Sequence, residues 1–169
     1  MKILKFIPIS FLLVSCGIDF LSPTAQQGDN YFSCKKDKKS WIPSTGISFT
    51  GDKPTTCIVL KSEVYIAAKI NTSYPRENIA ITLKNFNGLG RYELKSSTSK
   101  NYGGYSREIF NTPTVTFGTT DVVSGEVIIS KIDYEKKTIC GTFDFEVKEI
   151  NGSEIIKFTK GEFNLVSKK

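Results

Sequence analysis

The residues of this 169-residue chain with chemistry to offer are four cysteines, a few closely spaced carboxylates and a segment rich in tyrosine and arginine; no histidine accompanies them. Without an imidazole the usual general base near neutral pH is missing. Ser-His-Asp and Cys-His nucleophilic arrangements are missing too, and so is His-ligated zinc. The only methionine is Met1. No phosphate-binding Gly-x-x-x-x-Gly-Lys-Ser/Thr loop and no dinucleotide fingerprint occurs, and Cys34, Cys57 and Cys140 lack metal-ligand spacing. The sequence predicts no cofactor, no metal and no enzymatic activity.

Carboxylates and aromatics remain. Asp144 and Glu146 lie two apart, and Glu149 and Glu154 flank the turn that follows. A carboxylate pair can hydrolyse glycosides when one member stays protonated in a dry pocket. That defines the last of three functional readings, a carboxylate-dependent glycan hydrolase. Alternation assigns this pair instead to the wet face of a strand. Asp52, Asp121, Asp133 and Glu135 form no recognised calcium loop. Tyr102, Tyr105 and Arg107 lie in a glycine-bearing segment. Tyrosine and arginine of this kind suit a sugar- or peptide-binding surface; the competing reading makes these rings part of the core. Trp41 reads as a core plug and Lys35–Lys39 as a hairpin tip.

These groups must be positioned by strands. Val64, Ile66, Ala68 and Ile70 alternate with Tyr65, Ala67 and Lys69; Ile79, Ile81 and Leu83 alternate with Ala80 and Thr82; Phe143, Phe145 and Val147 alternate with Asp144 and Glu146. Period two with one apolar face means half-buried strands. Turn signals divide them: Lys36-Asp37-Lys38, Asp133 to Lys137, and Asn151-Gly152, which reads as a two-residue type I′ turn. Asn87 to Gly90 and Tyr102 to Tyr105 read as looser breaks. No segment has helical periodicity. The expectation is an all-β fold, an antiparallel β-sandwich or a meander β-barrel of about nine to ten short strands.

The start of the chain differs. Lys2 and Lys5 precede an apolar run from Phe6 to Val14, which is too short to cross a bilayer as a helix. Leu13-Val14-Ser15-Cys16 then resembles the bacterial lipobox. That resemblance implies a cleaved signal peptide over 1–15, a diacylglycerol on the Cys16 sulfur and acylation of the new amino terminus, with palmitate-type chains. Gly17 in place of Asp after Cys16 points, by the same resemblance, to the outer membrane of the cell envelope. Residues 16–30 read as lipidated N-terminus and flexible tether, and 31–169 as a single all-β domain. Removing Lys2 and Lys5 from the 23 basic residues leaves 21 against 17 acidic ones, a net +4. That balance, with no basic stripe or motif, excludes nucleic acid as the expected partner.

Three cysteines then remain. Outside the inner membrane disulfides form, and Cys34 with Cys57 is one expectation; three buried apolar thiols is the other. The mature chain also resembles a family of short, uncharacterised lipoproteins common in Bacteroidota. The matching pieces include Phe32-Ser33-Cys34 followed by Trp41, Gly88-Leu89-Gly90-Arg91-Tyr92-Glu93-Leu94, and Ser124-Gly125-Glu126-Val127-Ile128-Ile129 running to Gly141-Thr142-Phe143-Asp144-Phe145. In that family Cys34 and Cys140 stand where small residues are expected, so a disulfide here is particular to this chain. The resemblance implies fold and address and carries no catalytic motif. The first functional reading is a membrane-anchored lipoprotein with a non-enzymatic binding or envelope-structural role and an envelope protein or glycan as partner. The alternative is a lipocalin-like barrel that carries a small apolar ligand. Oligomeric state is left open.

Overall fold

The computed structural model describes residues 30–46 and 51–168; Cys16 and the signal peptide lie outside them. Alternating residues become strands because one face can be buried while the other stays wet. In chain order they are β1 (Tyr31–Lys36), β2 (Lys39–Trp41), β3 (Ser44–Thr45), β4 (Thr55–Val59), β5 (Val64–Asn71) and β6 (Arg76–Leu83). There follow β7 (Gly90–Leu94), β8 (Asn101–Glu108), β9 (Val115–Gly118), β10 (Gly125–Asp133), β11 (Thr138–Glu149) and β12 (Ile155–Val166). Twelve strands exceed the expected nine or ten because two- and three-residue strands such as β3 and β2 are too short to show a period. Of the two arrangements open at the sequence level, the chain takes the barrel-like one: a single sheet curled into a half-barrel.

The sheet runs β2-β1-β12-β11-β9-β8-β6-β5-β3, with β10 bridging β11 to β7 and β4 paired with β5. Every pairing is antiparallel except β3 with β5. Chain neighbours therefore do not always meet: β1 lies against β12, β6 against β8, and β7 against β10. The edge strand β4 is tied to the end of β12, where Lys168 N donates to Cys57 O (3.0 Å) and Val59 N to Ser167 Oγ (3.0 Å).

All three expected hairpins form, and two of them have the positive φ expected of a tight turn. Asp37 and Lys38 both have positive φ, as a type I′ turn requires, and Lys137 has positive φ in the β10–β11 turn. In that second turn Asp133 Oδ1 accepts from Lys136 N (2.9 Å). At Asn151-Gly152 the hairpin forms but the type I′ turn does not: neither residue has positive φ, and β11 and β12 are joined by a longer loop closed by Glu149 N donating to Glu154 O. The break expected at Tyr102–Tyr105 also fails, since the segment lies inside β8.

Phenylalanines fill the interior. Phe143 stacks with Phe32, Phe145 and Phe163, and Phe158 with Tyr105 and Phe145, at centroid separations of 5.1–6.5 Å. Pairs of this geometry are worth about 0.5–1.5 kcal/mol each beyond burial. Room for the rings comes from glycines. Gly141 is in register with Phe163 and Phe143 with Gly161. A Cβ added at Gly141 would sit 2.6 Å from the Phe163 ring, and one at Gly161 would sit 2.5 Å from the Phe143 ring. Each strand thus lays a ring over its neighbour's glycine.

Candidate functional site

Strand parity decides where the expected surface residues go. Along β8, Gly103 and Tyr105 face inward while Tyr102, Gly104 and Ser106 face outward. Tyr105 is 2 % exposed and belongs to the core, so Tyr102, Tyr105 and Arg107 do not form one surface. Arg107 reaches Glu154 through two hydrogen bonds (3.0 and 3.2 Å) and lies over the Phe117 ring. Of the three, only Tyr102 lies on the outer face.

Tyr105 turns instead to a group the sequence reading passed over. Glu77 is a carboxylate only 7 % exposed at the start of β6. It accepts from Tyr105 OH (2.8 Å), from Trp41 Nε1 (2.5 Å) and from Lys36 Nζ. Burial pushes its carboxyl up, but the hydrogen bonds from Lys36, Tyr105 and Trp41 and the charge of Lys36 outweigh that and hold it below the usual range. Burial and the Glu77 charge drive Tyr105 the other way, far above an ordinary phenol. With every near donor committed to it, Glu77 is a fixed anion that clamps the β1–β2 hairpin to β6 and β8. The sequence did hold a signal: Glu77 shares parity with Ile79, Ile81 and Leu83, so alternation points it into the dry face.

The thiols are likewise structural. Cys34, Cys57 and Cys140 are free and buried, so the Cys34–Cys57 bridge is not formed. Burial pushes Cys34 and Cys57 up to about 12, with the Glu77 charge adding to the effect at Cys34. A thiol so far from ionising is a small hydrophobe, not a nucleophile. The carboxylate pair is also committed: Asp144 Oδ1 accepts from Lys160 N (2.8 Å), and Glu146 pairs with Lys157 (2.6 Å). Among the described residues no group of three or more His, Cys, Asp or Glu side chains could hold a metal ion.

What the outer face does offer is a trench. Ala67 is in register with Ala80, Ala80 with Gly104, Gly104 with Gly118, and Gly118 with Lys148. Four small residues thus form a floor running across β5, β6, β8 and β9, about 15 Å long at three strand spacings. One flank carries Tyr65, Thr82 and Tyr102, themselves in register; the other carries Asn78, Ser106 and Thr116. A hollow of about 540 Å³ lies over Gly104 and Gly118. A second of about 290 Å³ lies over Ala67, against Tyr65 and Asn78. Lys84 Nζ stands 5.8 Å from the centre of the Tyr102 ring. The trench pairs ring faces on one side with amide and hydroxyl groups on the other, and Lys148 and Glu149 line its β11 end.

Residues 46–167 match the family model described as a domain of unknown function, DUF6252. The chain belongs to that family. No curated protein and no solved structure matches it. The DUF6252 stretch contains the whole trench, together with Glu77 and Tyr105. The β1–β2 hairpin, which supplies Lys36 and Trp41 to Glu77, precedes it.

Proposed function

We propose that this DUF6252 chain is an envelope lipoprotein, anchored through Cys16, whose domain binds an extended neutral glycan along the trench. One observation carries the binding half: Gly104, inside β8, and its register partner Gly118, the last residue of β9, are glycines without a packing reason. A Cβ at Gly118 would meet nothing within 4 Å, and one at Gly104 only Phe117 O at 3.6 Å, an ordinary contact. Glycine in a strand interior lowers stability and marks places where another molecule approaches closely. Tyr65 and Tyr102 then supply apolar faces for sugar rings, and Asn78, Ser106 and Thr116 supply hydrogen-bonding partners for hydroxyls. The anchor half rests on the Leu13-Val14-Ser15-Cys16 motif. Two or more acyl chains are needed for stable attachment.

The carrier reading has less support, because phenylalanine rings fill the half-barrel. A hollow of about 350 Å³ beside Leu60 and Phe86 is the place for a small apolar ligand under that reading.

The test has two arms. Cells fed a clickable fatty acid label the natural chain, and Cys16→Ser removes the label and releases the protein from membranes. The mature protein, titrated with neutral envelope polysaccharide fragments, binds them, and Tyr102→Ala abolishes that binding. Unlabelled natural protein overturns the anchor; binding that Tyr102→Ala leaves intact overturns the trench.

A further inference from the structure

The described chain begins at Asn30, whose Oδ1 accepts from Val166 N (3.1 Å). The tether therefore joins the domain beside the end of β12. The next residue, Ser167, lines the 350 Å³ hollow and donates its N to Lys137 O (2.7 Å). The lips of that hollow are Leu60, 45 % exposed, and Tyr134, 73 % exposed. Lys61 and Lys137 stand with them, and Asp133 is the only acid in the lining. Lys136 adds positive charge at this end, against Glu63 and Glu135, while Lys168 Nζ turns to Thr56 Oγ1 (3.2 Å) beside the hollow over Ala67. Thirteen residues lie between Cys16 and Asn30. Even fully extended, a segment of that length reaches no more than about 50 Å. An acylated Cys16 thus keeps this one end of the domain close to the headgroups.

We propose that the tether end of the half-barrel is the face that rests on the bilayer, with Leu60 and Tyr134 entering the headgroup layer and Lys61 and Lys137 meeting the phosphates of anionic phospholipids. Tyrosine suits that layer because its ring is apolar and its hydroxyl stays wet. Lysines near an anionic surface add to lipid anchoring. The hollow over Gly104 and Gly118 shares no lining residue with this end and is then left clear of the membrane for its ligand. This inference rests on the Cys16 anchor proposed above.

The test uses the full mature lipidated protein in phosphatidylcholine vesicles, with and without phosphatidylglycerol, carrying brominated acyl chains. Trp41, 3 % exposed in the core, is the single natural indole and serves as an internal reference. Tyr134→Trp, and separately Leu60→Trp, adds a reporter at each lip. Bromine quenches the added emission, more strongly with phosphatidylglycerol, and leaves that of Trp41 unchanged. Lys61→Gln with Lys137→Gln lowers the docked population on anionic vesicles by roughly 5-fold per lysine. Protein that floats with the vesicles while both reporters stay unquenched overturns the docking and leaves the anchor standing. A reporter shielded from water yet unquenched by bromine shows the tether itself in the hollow, which also overturns it. Protein that fails to float overturns the anchor, and the docking with it.

Discussion

Two sets of glycines divide the sheet. On the inner face, Gly141 and Gly161 each lie beneath a phenylalanine of the neighbouring strand, and Gly103 lies 3.0 Å, measured from its added Cβ, from the Phe145 ring. On the outer face, Gly104 and Gly118 lie opposite each other; an added Cβ would meet nothing at Gly118 and only Phe117 O, at an ordinary 3.6 Å, at Gly104. The residue type is the same, but only the inner set recovers the cost of a glycine through ring packing. An unrepaid cost on the outer face points to something outside the fold, and the trench between Tyr102 and Thr116 is where that something fits.

The contrast breaks first, and by the largest margin, at the inner set. Gly141→Ala places a methyl 2.3 Å from Ile128 O and 2.6 Å from the Phe163 ring. Overpacking of that kind costs roughly 3 kcal/mol, or about 10 °C in Tm, which thermal unfolding measures. Gly161→Ala behaves alike.

The clamp on Glu77 comes next. Glu77→Ala leaves the Trp41 N–H and the part-buried Lys36 without their acceptor, for a loss of about 2–3 kcal/mol by denaturant titration. The pH dependence follows from the carboxyl's lowered native value. The contribution is full above the ordinary value of 4.5 and is lost as pH falls through the lower native one. Stability of the natural chain therefore declines on acidification below that point, and Glu77→Gln flattens this part of the acid limb.

How much of this was legible in the sequence follows from what alternation can encode. Val64 to Ile70, Ile79 to Leu83 and Phe143 to Val147 announced their strands because parity is a local property. The hairpin at Lys36-Asp37-Lys38 was legible for the same reason, though its type I′ form was not. Glu77 was half legible: its parity pointed inward, but Lys36 and Trp41 lie 41 and 36 residues earlier in the chain. The trench was hidden because it depends on pairing across strands. Nothing local says that Gly104 faces Gly118, and the glycines in Tyr102–Tyr105 argued for a break that neighbouring strands override. Asn151-Gly152 misled in the opposite sense, since a strong two-residue signal gave way to a longer loop.

Smaller effects sharpen the same contrast. Glu154→Gln breaks a partly exposed pair with Arg107 and changes stability by no more than about 1 kcal/mol, so this pair does not hold the β8 face in place. The cysteines give a null effect in the native state: with Cys34 and Cys57 pushed up to about 12, iodoacetamide at mildly alkaline pH leaves both unmodified until the domain is unfolded. Rapid alkylation of the folded domain contradicts their burial as inert hydrophobes.

The most direct measurement is on Gly118→Val, read twice on the same mature protein. Valine suits a strand and has open space here, so the account predicts a melting temperature equal to or above that of the natural chain, together with loss of binding to neutral envelope glycan fragments. A lower melting temperature, or glycan binding that survives the filled trench, contradicts it.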